Sequence, residues 1–238
     1  MLEKWKKALD NKKVAGTLLT DLSKAFDCLK HDLLIAKLEA YGFSYSSLNL
    51  ISSYLSGRKQ RTKVNNVYSE WAGLETGVPQ GSILGPLLFN IYINDIFYFF
   101  NEERVTNYAD DTIPYNIENE IEILLTNLHL HSLTLLMWFE NNFLKLNADK
   151  CKLLVTNHED EVYIYLDNEV IKGNKFVKPL GIKIDNKLDF NEHISSIYKK
   201  AILKLYALAR IAPFMNKEKL RILMKAFNDA QFNYCPLI

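Results

Sequence analysis

The stretch Asn107–Tyr115, NYADDTIPY, sets two carboxylates side by side among apolar and aromatic residues. Polar and apolar residues alternate on both sides of the pair, a period of two that predicts two short strands with Asp110 and Asp111 at the bend between them. Most adjacent Asp residues are simply solvated turn residues. Here the neighbours are apolar, and two like charges in such a place are costly unless a cation or protons offset them.

A third acid lies far upstream. VAGTLLTDLS, residues 14–23, is an apolar run too short for a helix and long enough for a strand buried on both faces, and Asp21 stands at its C-terminal end. If this strand and the acid-bearing strands are neighbours in one sheet, three carboxylates converge on one edge. Such a set suits a hard divalent cation. Magnesium takes oxygen ligands in octahedral geometry, from one or two carboxylates together with water and substrate phosphates. Two such ions, about 3.5–4 Å apart, clamp the attacking and leaving oxygens of a phosphoryl transfer.

Composition narrows the alternatives. The 238 residues are 48% hydrophobic and 24% charged, which fits a folded chain with a sizeable core and excludes disorder. Net charge is only +1, so a nucleic-acid partner has to be argued from local patches. One such patch is the C-terminal segment from Asn191 onward, where eight basic residues face three acidic ones, a net of +5. The three cysteines, Cys28, Cys151 and Cys235, are odd in number and scattered, which suggests neither a disulfide framework nor a zinc site and fits a reducing, intracellular compartment, nucleus or cytoplasm. No leader opens the chain, and the longest apolar run, Ser82–Phe100, is broken by Pro86, Asn90, Asn94 and Asp95, so no membrane span is expected. Both ends read as cut rather than finished.

Elsewhere the periodicity alternates between helix and strand. HDLLIAKLEAYGF predicts a helix ending at Gly42, and Gly57 closes a second. RKQRTKVNNVYSEW predicts a basic hairpin turning at Asn65-Asn66. SILGPLLFNIYINDI predicts a helix with Ile83, Leu84, Leu87, Leu88 and Ile91 on one face and Pro86 in its first turn. Ile117, Ile121, Leu124, Leu125, Leu128, Leu135 and Phe139 mark a long helix; CKLLVT, VYIYL and EVIKG, the last two joined through Asp167-Asn168, read as strands. From Phe190 the pattern is helical to the end. The expected fold class is α+β, an antiparallel sheet flanked by helices with a helical tail.

In chain order, LLTDLSKAFD, GVPQGSILGPLLFNIYINDI and YADDT resemble motifs A, B and C of reverse transcriptases, and specifically those of non-LTR (LINE-like) retrotransposons. LNADKCKLL is similar to motif D, LGIKID to motif E, and KKAILKLYALARIAPF to the start of a thumb. The resemblance implies a polymerase palm with partial fingers over residues 1–187 and a partial helical thumb over 188–238. It implies an RNA-directed DNA polymerase, a fragment of a retrotransposon polyprotein, that adds dNTPs to a primer 3′-hydroxyl on an RNA template with two magnesium ions, manganese being a possible substitute.

On individual residues, the resemblance makes Asp21, Asp110 and Asp111 the metal-holding acids, with the backbone carbonyl of Leu22 completing one coordination sphere. Lys150 matches the motif D lysine that protonates the departing pyrophosphate, against the simpler reading of a strand-end charge. Phe26 matches the gate that rejects a ribose 2′-hydroxyl, though core packing is the commoner fate of a Phe. Gln80 matches the residue that contacts the incoming nucleotide, with Gly81 letting the backbone approach, while Asp27 reads as structural. Tyr108, Leu180 and Gly181 match primer-side contacts. Arg58, Lys59, Arg61, Lys63, Lys199 and Lys200 are expected to meet phosphates. Only twenty residues precede Asp21, and MLEKWKKALDNKK does not match the family's fingers, so a triphosphate clamp is not expected from that segment. The competing readings are a catalytically inactive remnant that still binds nucleic acid, and an RNA-making polymerase, against which Phe26 and YADD argue.

Overall fold

Val14 to Leu18 are buried without a break, as the continuous apolar run requires of a strand paired on both edges and covered on both faces. The computed structural model describes residues 1–100, 104–166 and 169–233. The chain divides into two compact units, Met1–Asn174 and Lys175–Ile238.

In the first unit, helix α1 (Leu2–Asp10) leads into β1 (Val14–Leu19) and the short β2 (Leu22–Ser23). Helices α2 (His31–Ala40) and α3 (Tyr45–Leu55) follow, then a ribbon of β3 (Lys59–Gln60), β4 (Lys63–Val64), β5 (Val67–Tyr68) and β6 (Ala72–Gly73). After α4 (Leu84–Ile93) come β7 (Val105–Tyr108), β8 (Asp111–Glu118) and α5 (Ile121–Asn141). The unit closes with β9 (Lys145–Leu146), β10 (Lys152–Thr156), β11 (Tyr163–Leu166) and β12 (Glu169–Lys172). The main sheet has the order β10-β1-β8-β7, antiparallel throughout.

Two hydrophobic clusters hold this unit together, and α5 contributes to both. Its first turns give Leu124 and Leu128 to a cluster with Val14, Leu18, Leu153 and Val155. Gly16 makes that contact possible, since a Cβ there would lie 2.8 Å from Leu128 Cδ1. Its last turns give Leu135, Trp138 and Phe139 to the second cluster, with Leu34 and Leu38 of α2 and Leu88, Phe89, Tyr92 and Ile93 of α4. At 21 residues α5 is about 32 Å long, enough to span the two.

A buried lysine ties this second cluster. Lys37 Nζ donates to the Tyr92 carbonyl (2.7 Å), Asn142 Oδ1 (2.6 Å) and Asp95 Oδ1 (2.8 Å) and lies over the Tyr92 and Trp138 rings. Burial lowers its pKa, and Asp95 opposes that shift. Burial likewise pushes the Tyr92 phenol up to about 12, so it donates to the Asn142 carbonyl (2.7 Å) as a neutral hydroxyl.

Two sequence expectations are corrected. Helix α4 buries Leu88, Phe89, Tyr92 and Ile93, while Ile83, Leu84 and Leu87 are exposed; in a helix apolar all round, periodicity cannot choose the buried face. Ile117 belongs to β8, and α5 begins at Ile121. The N-terminal segment forms α1, whose buried Trp5 meets Tyr115 of β8 edge to face. The basic hairpin is present with Asn65 and Asn66 in left-handed conformation, as a two-residue turn demands. The turn at Asp167-Asn168 lies outside the described residues.

The second unit pairs β13 (Phe176–Val177) with β14 (Ile184–Asp185) and continues into α6 (Asn191–Ile211) and α7 (Lys217–Met224). Asp185 organises the entry to α6 by accepting from the amides of Lys187, Asp189 and Phe190. Among the described residues no helix is long and apolar enough to cross a membrane.

Candidate active site

Strand register carries the three acids to one edge. Strand β1 pairs with β8 up to Thr17 opposite Tyr115. Pro114 has no N–H to offer the ladder, and the Thr17 hydroxyl donates to its carbonyl instead (2.8 Å). Beyond it Thr20 resumes the same register, its amide (3.3 Å) and its hydroxyl (2.6 Å) both donating to the Thr112 carbonyl. One further step sets Asp21 across from Asp111. On the other edge β1 pairs with β10 to Leu19 opposite Lys152, and the turn Ala148–Lys150 that precedes β10 carries Lys150 to Asp21. Lys150 Nζ lies 3.2 Å from Asp21 Oδ2, and the Asn147 amide donates to the Asp21 carbonyl (2.8 Å).

The bend that carries the other two acids is tight. Tyr108 pairs with Asp111, leaving Ala109 and Asp110 as a two-residue loop with Ala109 at φ +52°. A left-handed Ala costs about 1–2 kcal/mol and persists only where its surroundings impose it. Asn107 does so: its Nδ2 donates to the Ala109 carbonyl (3.1 Å) and to Thr112 Oγ1 (2.9 Å). Asp111 is partly buried, and its pKa is raised by that burial first, then by the charges of Asp110 and Asp21. All three carboxylates therefore share one local field. As the side chains stand, no group of three or more His, Cys, Asp or Glu among the described residues is close enough to hold a metal ion.

A polar recess of about 540 Å³ opens three residues beyond Asp21, lined by Lys24, Asp27, Arg58, Gln60, Gly77 and Gln80 among others. Its wall is fixed from behind. The Val78 amide donates to the Phe26 carbonyl (3.0 Å), the Gly77 amide to the Leu29 carbonyl (2.8 Å) and the Thr76 hydroxyl to the Asp27 carbonyl (2.9 Å). Gly77 has φ +80°, and a Cβ there would lie 2.8 Å from Asp27 Cα, so this contact tolerates no side chain. Gln80 Nε2 donates to Asp27 Oδ1 (3.0 Å), which fixes the carboxamide.

The remaining sequence candidates fall in distinct places. Gly81 is exposed at φ +79° with open space around it. Phe26 is partly buried and stacks on Phe89 with ring centroids 4.5 Å apart. Leu22 buries its side chain in the second cluster, its strand paired with β9. Tyr108 is exposed beside the bend. Arg58 lines the recess, whereas Lys59, Arg61 and Lys63 are exposed along the ribbon. Leu180 and Gly181, both at positive φ, and the exposed Lys199 and Lys200 belong to the second unit. Sequence reasoning missed Thr20, Lys24, Thr76 and Asn107, and took Asp27 as structural only. Of these, Asn107 had a legible signal, an Asn one residue before the tight bend.

The profile of the family described as "Reverse transcriptase (RNA-dependent DNA polymerase)" matches residues 2–184. The chain is 29% identical over 212 residues to the probable RNA-directed DNA polymerase from transposon BS of Drosophila melanogaster, covering 84% of this chain and 23% of that protein. It is 28% identical over 219 residues to the RNA-directed DNA polymerase from mobile element jockey of the same organism, covering 88% and 24%. The chain thus spans about a quarter of the length of the curated relatives it matches. Among solved structures, telomerase from Candida tropicalis in complex with a TWJ fragment of telomeric RNA matches with a TM-score of 0.56 at 12% identity, over 99% of this chain and 41% of that one. The apo telomerase from Candida tropicalis, truncated from its C-terminal domain, matches with a TM-score of 0.54 at 14% identity, over 79% and 38%. At these identities the structural likeness speaks to the fold, an α+β polymerase fold. With the profile match spanning most of its length, the chain belongs to the reverse transcriptase (RNA-dependent DNA polymerase) family, and its curated relatives are polymerases of non-LTR retrotransposons.

Proposed function

We propose that this chain is the palm, with part of the fingers and the start of the thumb, of an RNA-directed DNA polymerase that extends a DNA primer along an RNA template. One observation carries the reading: strands far apart in sequence bring Asp21, Asp110, Asp111 and Lys150 to one end of the sheet. The donor set fits divalent cations. Carboxylates alone, with Asp111 pushed upward by burial and then by the charges of Asp110 and Asp21, match the oxygen preference of magnesium, which needs only one or two protein carboxylates beside water and substrate phosphates. Asp21, Asp110 and Asp111, with the Leu22 carbonyl, would hold two magnesium ions, or manganese in their place. Bound there, they supply charge neutralisation for the attacking and leaving oxygens.

The chain's own residues do the rest by position and charge. The primer 3′-hydroxyl gives up its proton to solvent as its oxygen forms a bond to the α-phosphorus of a dNTP, the bond from that phosphorus to the bridging oxygen breaks, and pyrophosphate leaves. Lys150 holds an ammonium proton at the acid cluster for that leaving oxygen. Gln80, fixed by Asp27, and the cations Lys24 and Arg58 line a recess that suits a nucleoside triphosphate. Phe26 stands as the sugar gate, which predicts greater ribonucleotide use by Phe26→Ala. Tyr108 and, in the second unit, Leu180, Gly181, Lys199 and Lys200 are proposed to contact the nucleic acid.

Primer extension on an RNA template by the purified chain, with and without magnesium, tests the proposal. Magnesium-dependent extension is expected. Duplex binding with no extension would make the chain a nucleic-acid-binding remnant of the same fold.

A further inference from the structure

The ribbon β3–β6 is exposed along its whole length, from Lys59 to Gly73, and buries nothing of its own. A two-stranded ribbon is marginal by itself, yet this one turns a Trp, a Tyr and two Val to solvent. Its register shows how these side chains are aimed. The outer ladder pairs Lys63 with Tyr68 and the inner ladder pairs Gln60 with Ala72, so between them two residues, Arg61 and Thr62, face three, Ser69 to Trp71. That extra residue is a β-bulge, and it brings Trp71 in place of Glu70 onto the face that carries Arg61, Lys63 and Tyr68. The contacts agree: the Arg61 guanidinium lies 4.0 Å from the Tyr68 ring centroid and 4.5 Å from that of Trp71, and Lys63 Nζ lies 5.1 Å from Tyr68.

This arrangement holds two aromatic rings in place while leaving Trp71 57% and Tyr68 48% exposed. Between Arg58 and Gly73 the charge is four cations against the single acid Glu70, +3 on a chain whose total is +1. Alternating cations and open rings suit a single strand of nucleic acid, whose phosphates are anionic and whose unpaired bases offer flat faces. A duplex hides those faces. The ribbon also springs from the recess, since Arg58 and Gln60 line that cavity and the Leu74 amide closes the base of the ribbon on the Arg58 carbonyl (2.9 Å).

We propose that this ribbon is a stacking platform for the unpaired template RNA next to the recess, with Lys59, Arg61 and Lys63 on phosphates and a base laid on Trp71 and Tyr68. The inference rests on the polymerase reading above, but its test does not need catalysis. Trp5 and Trp138 are 0% and 3% exposed, so Trp71 is the tryptophan that a ligand in solution can reach.

The full chain is titrated with a ten-nucleotide oligouridylate in metal-free buffer while tryptophan fluorescence is followed. Saturable quenching is expected, and Trp71→Ala should weaken binding about tenfold and remove the quenching. Arg61→Ala should weaken binding and lower the slope of log affinity against log salt by about one. Because the ribbon contributes nothing to the core, both variants should keep the wild-type circular dichroism spectrum. Unchanged binding by Trp71→Ala, equal quenching by a duplex RNA of the same length, or equal quenching by polyglutamate would each overturn the platform, the last in favour of a protein-docking surface. Quenching as expected without primer extension would overturn the polymerase reading alone, and extension with a silent Trp71→Ala would overturn the platform alone.

Discussion

Lys150 and Asp21, 129 residues apart in sequence, meet with Nζ 3.2 Å from Oδ2 at the end of the strand that organises the sheet. Their side chains are 64% and 35% exposed, so the pair adds little to stability, about 0–1 kcal/mol. On the function proposed above, its value lies in holding a transferable proton beside the acid cluster. Lys150→Met should lower the rate of primer extension about a hundredfold, the lower end of what a general acid contributes, while leaving duplex affinity and folding within error. Lys150→Arg keeps the charge without the transferable proton and should recover only a small part of that loss. Recovery to the wild-type rate by Arg would reassign Lys150 to charge alone.

The raised pKa of Asp111 has a defined consequence for stability. A carboxyl whose folded pKa lies above its unfolded value keeps its proton longer in the folded state, so stability falls as pH rises through the window above 3.8 and stays lower beyond it. A divalent cation at the acids offsets that penalty only once they are ionised. Magnesium should therefore raise the melting temperature at pH 7.5, with the increase shrinking as pH falls toward 4. Asp111→Asn should stabilise the metal-free chain and lose most of the increase. Equal magnesium shifts at both pH values would remove the acids from metal binding.

Gln80 and Asp27 act as one unit in the recess through their 3.0 Å hydrogen bond. Gln80→Ala should raise the KM for dNTPs about tenfold with a smaller change in kcat, and Asp27→Ala should raise it about threefold by freeing the carboxamide. A change confined to kcat in steady-state kinetics would place neither residue on the nucleotide.

Lys37 anchors α2 through three acceptors, at Tyr92, Asp95 and Asn142. Lys37→Met removes all three hydrogen bonds and leaves those acceptors without their donor. Stability by urea unfolding should fall by about 3 kcal/mol. Unchanged stability would show that water replaces the ammonium without cost.

Much of this arrangement is legible in the sequence, for physical reasons that differ by element. The strand Val14–Leu19 and the bend at Asp110 are set by local apolar patterning, and the Asn65-Asn66 turn by its backbone demands, so each was expected and found. Their assembly into one edge depends on register, which no local pattern carries. The bracing of the recess was not legible for the same reason: Gly77 against Asp27 and Thr76 on the Asp27 carbonyl join segments about fifty residues apart. Helix α4 was misread because its sequence is apolar on every side, and Leu88 and Phe89 are chosen over Ile83 and Leu87 only by where α2 and α5 stand. The bulge that aims Trp71 leaves no mark in composition at all.

Asp110→Asn tests the central claim most directly, because it removes one negative charge at the bend and almost no volume. Extension of a DNA primer on an RNA template should disappear in magnesium, while the variant binds the same primer–template duplex with wild-type affinity. Extension at the wild-type rate, or a loss of duplex affinity as large as the loss of extension, would contradict the assignment of these acids to catalysis.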